Sequence, residues 1–381
     1  MFIKGARLDD DFATRVSHVC RQWRSVALET PDVWSKVVFT PKSYKERPDF
    51  SKQVEWLKRS CGALLTIEFR ELAVFTGRHA RWHTQHSATN RMMEVIIPYA
   101  PCWQILEGTR CSWSGIYEKI MATLSDLETP KLESVRLLGE STDNRWSTIE
   151  PRFGSIVRPN LKHMCIAGIT CTSTSFSRTP CLEYLSMGSH SGGMNNSVSS
   201  MAAYKILSVL REAVALKELE VVIYTMVWNP ENDKDQRGEN WSSFQSNLEA
   251  IHLLKRKEQS DGSQPPSLQV LCTSLSQLRI IKFSLIYMVG ESQLEPLGRH
   301  CPELETISLD MCRLSGEEAI NRVVVARSMA GYPSLQFLEV ILCRGVEESS
   351  ALEKSRAEGL VLTLVYKPFT WIEFDNRLEG N

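Results

Sequence analysis

The chain has 381 residues, 43% hydrophobic and 23% charged, with a formal net charge of −1 and a pI near 6.7. That balance excludes a nucleic acid or an acidic membrane surface held by bulk electrostatics, and no run approaches the roughly 20 apolar residues needed to span a bilayer. Its 11 cysteines, an odd number with no C-x-x-C pair, predict reduced thiols packed as small hydrophobes in a cytoplasmic or nuclear compartment rather than a disulfide framework.

In chain order, the first patterned segment runs from Val16 to Val37. Val16, Val19, Cys20, Trp23, Val26 and Ala27 recur at helical spacing, with Arg15, Ser17, His18, Arg21, Gln22, Arg24 and Ser25 on the other side, which predicts one continuous amphipathic helix. Thr30-Pro31 interrupts it, since proline disfavours α geometry in the residue before it and suits the first position of a new helix. A second short helix is expected with Thr30 as N-cap and Val33, Trp34 and Val37 on one face, so that Trp23 and Trp34 meet across the turn.

The order V-C-R-x-W-R-x-V-A followed by T-P-x-x-W-x-x-V resembles the second half of the F-box of fungal F-box proteins. The opening L-P-x-E-I/L helix of that motif has no counterpart in MFIKGARLDDDFATR, so residues 1–48 read as a truncated, F-box-like helical segment. The resemblance implies docking on the Skp-family linker of a cullin-RING ubiquitin ligase. Val16, Val19, Cys20 and Trp23 would lie on the helix facing the linker, with Pro31 and Trp34 ordering the turn after it.

From about residue 61 a short pattern returns: a leucine-like residue, an apolar residue three further on, and another two beyond that. Instances begin at Leu64, Leu132, Leu161, Leu182, Leu216, Leu248, Leu278, Leu304 and Leu335, with Trp103/Leu106 as a degenerate tenth. Each predicts a short strand with alternate side chains inward, after a bend that Pro101, Pro130, Pro159, Pro180, Pro302 or Pro333 helps to set. Leu304, Ile307, Leu309, Cys312 and Leu314 satisfy L-x-x-L-x-L-x-x-C-x-L in full, a resemblance to cysteine-containing leucine-rich repeats. That resemblance gives Cys312 and Cys343 a structural, stacked role. Helical periodicity between the strands marks 51–60, 115–124, 202–214, 292–300, 316–329 and 347–358.

The expected fold class is therefore an α/β solenoid: the helical segment over 1–48, then an irregular leucine-rich-repeat horseshoe over 49–381. First positions lie about 21 to 39 residues apart, less even than a regular repeat of this kind, so polar stretches at 188–200, 228–241 and 255–266 read as inserted loops. At the end, Leu360, Leu362 and Leu364 alternate as a last strand, and Phe369, Trp371 and Phe374 form an aromatic tail suited to capping the array.

Catalytic signals are absent. His79, His83 and His86 share one helical face, but their segment is basic and supplies no carboxylate at a motif spacing, so no metal and no cofactor are assigned. The stretch from Gly188 to Gly193 has His190 where a nucleophile elbow has serine, and it lacks a P-loop lysine.

The two resemblances together imply a substrate-recognition subunit of a Skp-cullin-F-box ubiquitin ligase. It would perform no chemistry itself and would bind an unknown protein substrate through side chains flanking the inward strand positions, among them Arg136, His163, Tyr184, Lys282 and Phe337. The alternative is a non-catalytic leucine-rich-repeat interaction scaffold unconnected to the ubiquitin system.

Overall fold

The computed structural model describes residues 12–40, 49–70, 90–109, 114–138, 156–167, 176–188, 209–223, 248–255, 272, 275–284, 291–310, 312, 319–341, 343 and 359–365. The segment His79–His86, the inserted loops, the helix expected at 347–358 and the aromatic tail lie outside these residues. The described strands fall into two compact units, the first ending at Leu182 and the second beginning at Glu183.

The first unit opens with helices α1 (Phe12–Ser17) and α2 (Arg21–Glu29) and a 3-10 turn, Pro31–Trp34. Strands β1 (Lys36–Phe39), β2 (Leu65–Arg70), β3 (Trp103–Thr109), β4 (Ser134–Leu138) and β5 (His163–Ala167) follow, each parallel to the next. Helix α3 (Ser51–Arg59) crosses from β1 to β2, and α4 (Ser114–Asp126) from β3 to β4. In the second unit β6 (Tyr184–Gly188), β7 (Glu218–Ile223), β8 (Ala250–Lys255), β9 (Ile280–Ser284), β10 (Thr306–Asp310), β11 (Phe337–Ile341) and β12 (Val361–Val365) pair in parallel in chain order. Helix α5 (Glu291–His300) links β9 to β10 and α6 (Ala319–Met329) links β10 to β11. Adding one parallel strand per crossover, always beside its predecessor, is the winding of an α/β solenoid.

Every repeat instance read from the sequence coincides with a strand, and its second and third apolar positions stack in register. Val135 faces Met164, Leu219 faces Ile251, and Ile281, Ile307 and Leu338 align across β9 to β11. All of these side chains are buried. The first position lies just ahead of the strand, closing a turn whose amide bonds back three residues: Leu132 to Thr129, Leu161 to Arg158, Leu182 to Thr179 and Leu304 to Cys301. Proline occupies the second place of these four turns, where its fixed φ suits the geometry. In the first instance the inward role passes from Leu64, which is exposed, to Leu65, which is buried and pairs with Trp103. The register shift between Leu65 and Thr66 accounts for the difference.

Strand β1 was not among the expected strands and lies ahead of residue 49. Its lead-in has the same spacing, with Trp34, Val37 and Phe39 in the three apolar places, and Val37 and Phe39 pair with Ile67 and Phe69. The solenoid thus begins inside the segment read as F-box-like. Aromatic packing holds this end together. Phe39 lies 5.3 Å from Phe50 and 5.8 Å from Phe69, and the Gln53 amide donates to the Val38 carbonyl oxygen at 2.9 Å, tying α3 to β1.

The second unit is held by a buried clamp and a cysteine pair. The guanidinium of Arg327 donates to the carbonyl oxygens of Cys301 (2.7 Å), Pro302 (3.1 Å) and Pro333 (2.8 and 3.1 Å), joining the turns before β10 and β11. Gly331, at a φ of 69°, ends α6; its N–H bonds to the Ser328 carbonyl and that of Tyr332 to the Arg327 carbonyl, the paired bonds of a Schellman motif. Beyond the strands, the Cys312 thiol donates to the Phe283 carbonyl at 3.4 Å and the Cys343 thiol to the Leu309 carbonyl at 3.3 Å. The Cys312 amide in turn donates to the Cys343 sulfur at 3.3 Å. The stacked, structural role expected of these two cysteines is what the bonds describe. One expected helical face is corrected: Leu210 is buried, but Val214 is exposed, because it occupies the tip of the turn from Ala213 to Leu216.

Candidate functional site

Two surfaces carry the side chains singled out in the sequence. The first is α2. The expected continuous helix is broken at residues 18–20: Cys20 is extended (φ −157°, ψ 173°) and serves as N-cap of α2. Local bonds cause the break. The Ser17 hydroxyl donates to the Thr14 carbonyl at 2.8 Å, the amides of His18 and Val19 reach back only three residues, and Arg24 Nε donates to the Ser17 carbonyl at 2.8 Å. These bonds consume the carbonyls that would have carried α1 into α2.

The break changes which residues face inward. Val16 stays buried in α1, and Ala27 is the buried residue of α2, whereas Val19, Trp23 and Val26 are 61%, 42% and 46% exposed. Cys20 is exposed as well. Trp23 and Val26 are three residues apart on α2 and share its outer side, and Val19 is exposed in the break just ahead of it. Pro31 occupies the first place of the 3-10 turn, as expected, but the Thr30 hydroxyl donates to the Val26 carbonyl at 2.7 Å instead of capping that turn. Trp34 is buried, its ring edge-on to Trp56 at 6.3 Å and covered by the Arg59 guanidinium at 4.7 Å. Trp23 and Trp34, expected to meet across the turn, are one outward and one inward ring.

The second surface is the face of the sheet opposite the buried positions. In the first unit it displays Arg136 on β4 and His163 on β5, both exposed. It also carries an ion-paired group in which Glu68 takes Lys36 Nζ at 3.4 Å and a two-pronged bond from Arg70. In the second unit it carries Tyr184, Lys282 and Phe337, joined by groups the sequence reading passed over. The Tyr184 hydroxyl donates to Glu220 Oε2 at 2.6 Å, Glu220 Oε1 lies 3.8 Å from His252 Nδ1, and His252 Nε2 shares a 2.9 Å bond with Ser284 Oγ. The Ser308 hydroxyl donates to Glu339 at 2.6 Å. Burial pushes the His252 imidazole below its ordinary value despite Glu220, so Ser284 meets a neutral ring at neutral pH.

The order carboxylate, imidazole, hydroxyl invites comparison with a catalytic triad. The geometry argues against one. Ser284 is buried, the His252 to Glu220 separation exceeds a hydrogen bond, and β9 is paired with β8 and β10 on both sides, which commits its backbone N–H groups to the ladders. The contacts instead brace four neighbouring strands, β6 to β9. Ser284 and Asp310 stand one residue beyond the third apolar position, so counting two residues past Lys282 and past Ser308 along the outward row would have found them.

Among the described residues no group of histidine, cysteine and carboxylate side chains is arranged to hold a metal ion, and no helix is long and apolar enough to cross a membrane. No protein-family model matches the chain, and no curated protein sequence matches it. Fold and surfaces define a class: parallel α/β repeats of solenoid type that present exposed apolar side chains on a helix and a polar sheet face.

Proposed function

We propose that the chain is an F-box-type substrate-recognition subunit of a Skp-cullin-F-box ubiquitin ligase, working from the cytoplasm or nucleus. The observation that carries this reading is the set of exposed apolar side chains Trp23 and Val26 on α2 and Val19 just ahead of it. An outward tryptophan flanked by valines is the sort of anchor that dominates protein interfaces, through burial of apolar area against a partner. It sits in the segment whose order of residues resembles the F-box, with a repeat sheet following in the same chain. The sheet face would hold the substrate, and ligase action would consist in keeping that substrate at high effective concentration beside a ubiquitin-loaded enzyme.

The test is co-purification with a Skp-family linker. Wild-type protein is expected to form a stoichiometric complex, and Trp23→Ala combined with Val26→Asp to lose it while keeping its melting temperature. Failure of the wild-type chain to bind any Skp-family linker would leave a repeat scaffold outside the ubiquitin system and sink the proposal.

A further inference from the structure

The outer sheet face of the second unit is uneven in a way that selects its ligand. On the row ahead of the inward positions, Ile280 (β9), Phe337 (β11) and Val361 (β12) are 45%, 48% and 49% exposed and lie in one register line through Thr306. With neighbouring strands about 4.8 Å apart, this strip crosses about 15 Å of sheet. Solvated apolar strips of this kind, rimmed by polar groups, are sites of protein contact.

The rim is acidic. The described side chains of this face in β6 to β12 include the carboxylates Glu218, Glu220, Asp310 and Glu339 against one lysine, Lys282. Glu339 follows Phe337 by two residues on the same strand and face, about 7 Å away, and Asp310 lies diagonally beyond it on β10. Glu220 and Glu339 already accept hydrogen bonds from Tyr184 and Ser308, which hold their carboxylates in place. Burial raises the Asp310 carboxyl above its ordinary value, Lys282 opposes this and nearby Glu339 adds to it; a cation brought by a ligand would favour the ionised carboxylate further.

We propose that this face binds a cationic-apolar peptide segment of the substrate protein, an extended stretch whose apolar side chain packs on Phe337 while a lysine or arginine one or two residues away meets Glu339 and Asp310. The assignment rests on the reading of the sheet face as the substrate surface, and not on the linker contact. A second copy of this chain is disfavoured as occupant, because a symmetric pairing would set the same carboxylates against one another.

Fluorescence anisotropy with the full chain and labelled twelve-residue peptides tests it. Peptides pairing Lys or Arg with Phe or Leu are expected to bind at least tenfold tighter than equally apolar acidic or neutral ones, and to weaken with added salt. Asp310→Asn with Glu339→Gln should weaken them about tenfold, and Phe337→Ala should do the same. Lys282→Glu should tighten them severalfold, an outcome that misfolding cannot imitate. Equal binding of acidic peptides, indifference to Lys282→Glu, or self-association through this face in sedimentation would overturn the proposal. Linker co-purification through α2 is read separately, so loss of one result leaves the other standing.

Discussion

The indole Nε1–H of Trp34 donates a 2.7 Å hydrogen bond to the backbone carbonyl oxygen of Ala27. The bond closes the end of α2 onto the lead-in of β1, so one residue ends the helix pair and begins the sheet. Trp34→Ala should cost about 3 to 5 kcal/mol of first-unit stability, from lost burial and from the loss of one of the two hydrogen bonds to the Ala27 carbonyl, which keeps that of the Thr30 N–H. Trp23→Ala should cost less than about 1 kcal/mol, as expected of a half-exposed side chain. Urea denaturation of the two variants would show the contrast, and equal losses would mean that Trp23 also belongs to the core.

Arg327 holds four bonds to turn carbonyls from a buried position. Arg327→Met should destabilise the second unit by roughly 2 to 5 kcal/mol, since it leaves buried acceptors unmet. Arg327→Lys should recover little, because an ammonium cannot reproduce the planar fork. Chemical denaturation followed by near-ultraviolet circular dichroism would report both.

Gly298 on α5 faces α6 so closely that a Cβ would meet the Val323 carbonyl oxygen at 2.5 Å and the Ala326 Cβ at 2.9 Å. Gly298→Ala should therefore lower stability by about 1 to 3 kcal/mol, despite alanine's better helix propensity. A melting temperature at or above that of the wild type would show that the helices can part at no cost.

Asp310 and His252 should give the second unit opposite pH responses. Burial raises the Asp310 carboxyl from its ordinary 3.8, so its contribution is favourable below that value and is lost as pH rises through the folded-state pKa. Asp310→Asn is therefore expected to stabilise the protein at pH 7 and not at pH 3. Burial lowers the His252 imidazole from 6.5, so its contribution is present above that value and is lost as pH falls through the lower folded-state pKa. Replacing His252 with Gln should flatten the acid limb of the stability profile between neutral pH and pH 5. Stability curves that superimpose on the wild type would refute both assignments.

Thiol labelling should separate the cysteines by burial. Cys20, Cys61 and Cys181 are exposed and should take iodoacetamide quickly in the folded protein, whereas Cys272, Cys301 and Cys312 should be labelled only on unfolding. For Cys272, the hydrogen bond with Cys301 and burial together also hold the thiol protonated. Mass mapping of labelled peptides would check the order.

The sequence by itself determined the strands from β2 to β12, because an inward-facing strand needs apolar side chains at every second place and that demand is written locally, residue by residue. It also marked the proline turns ahead of them and the stacked cysteines at Cys312 and Cys343. Strand β1 obeys the same spacing but was hidden by a tryptophan in the leucine place, within a stretch whose periodicity also fits a helix. Only tertiary structure decided which of Trp23 and Trp34 faces solvent, since a three-residue break held by Ser17 and Arg24 re-phases α2, and periodicity cannot register a break made by side-chain bonds. The same holds for the chain from Tyr184 through Glu220 and His252 to Ser284 and for the approach of Gly298 to Val323. Their members lie some 25 to 36 residues apart in sequence and become neighbours only when parallel crossovers stack them.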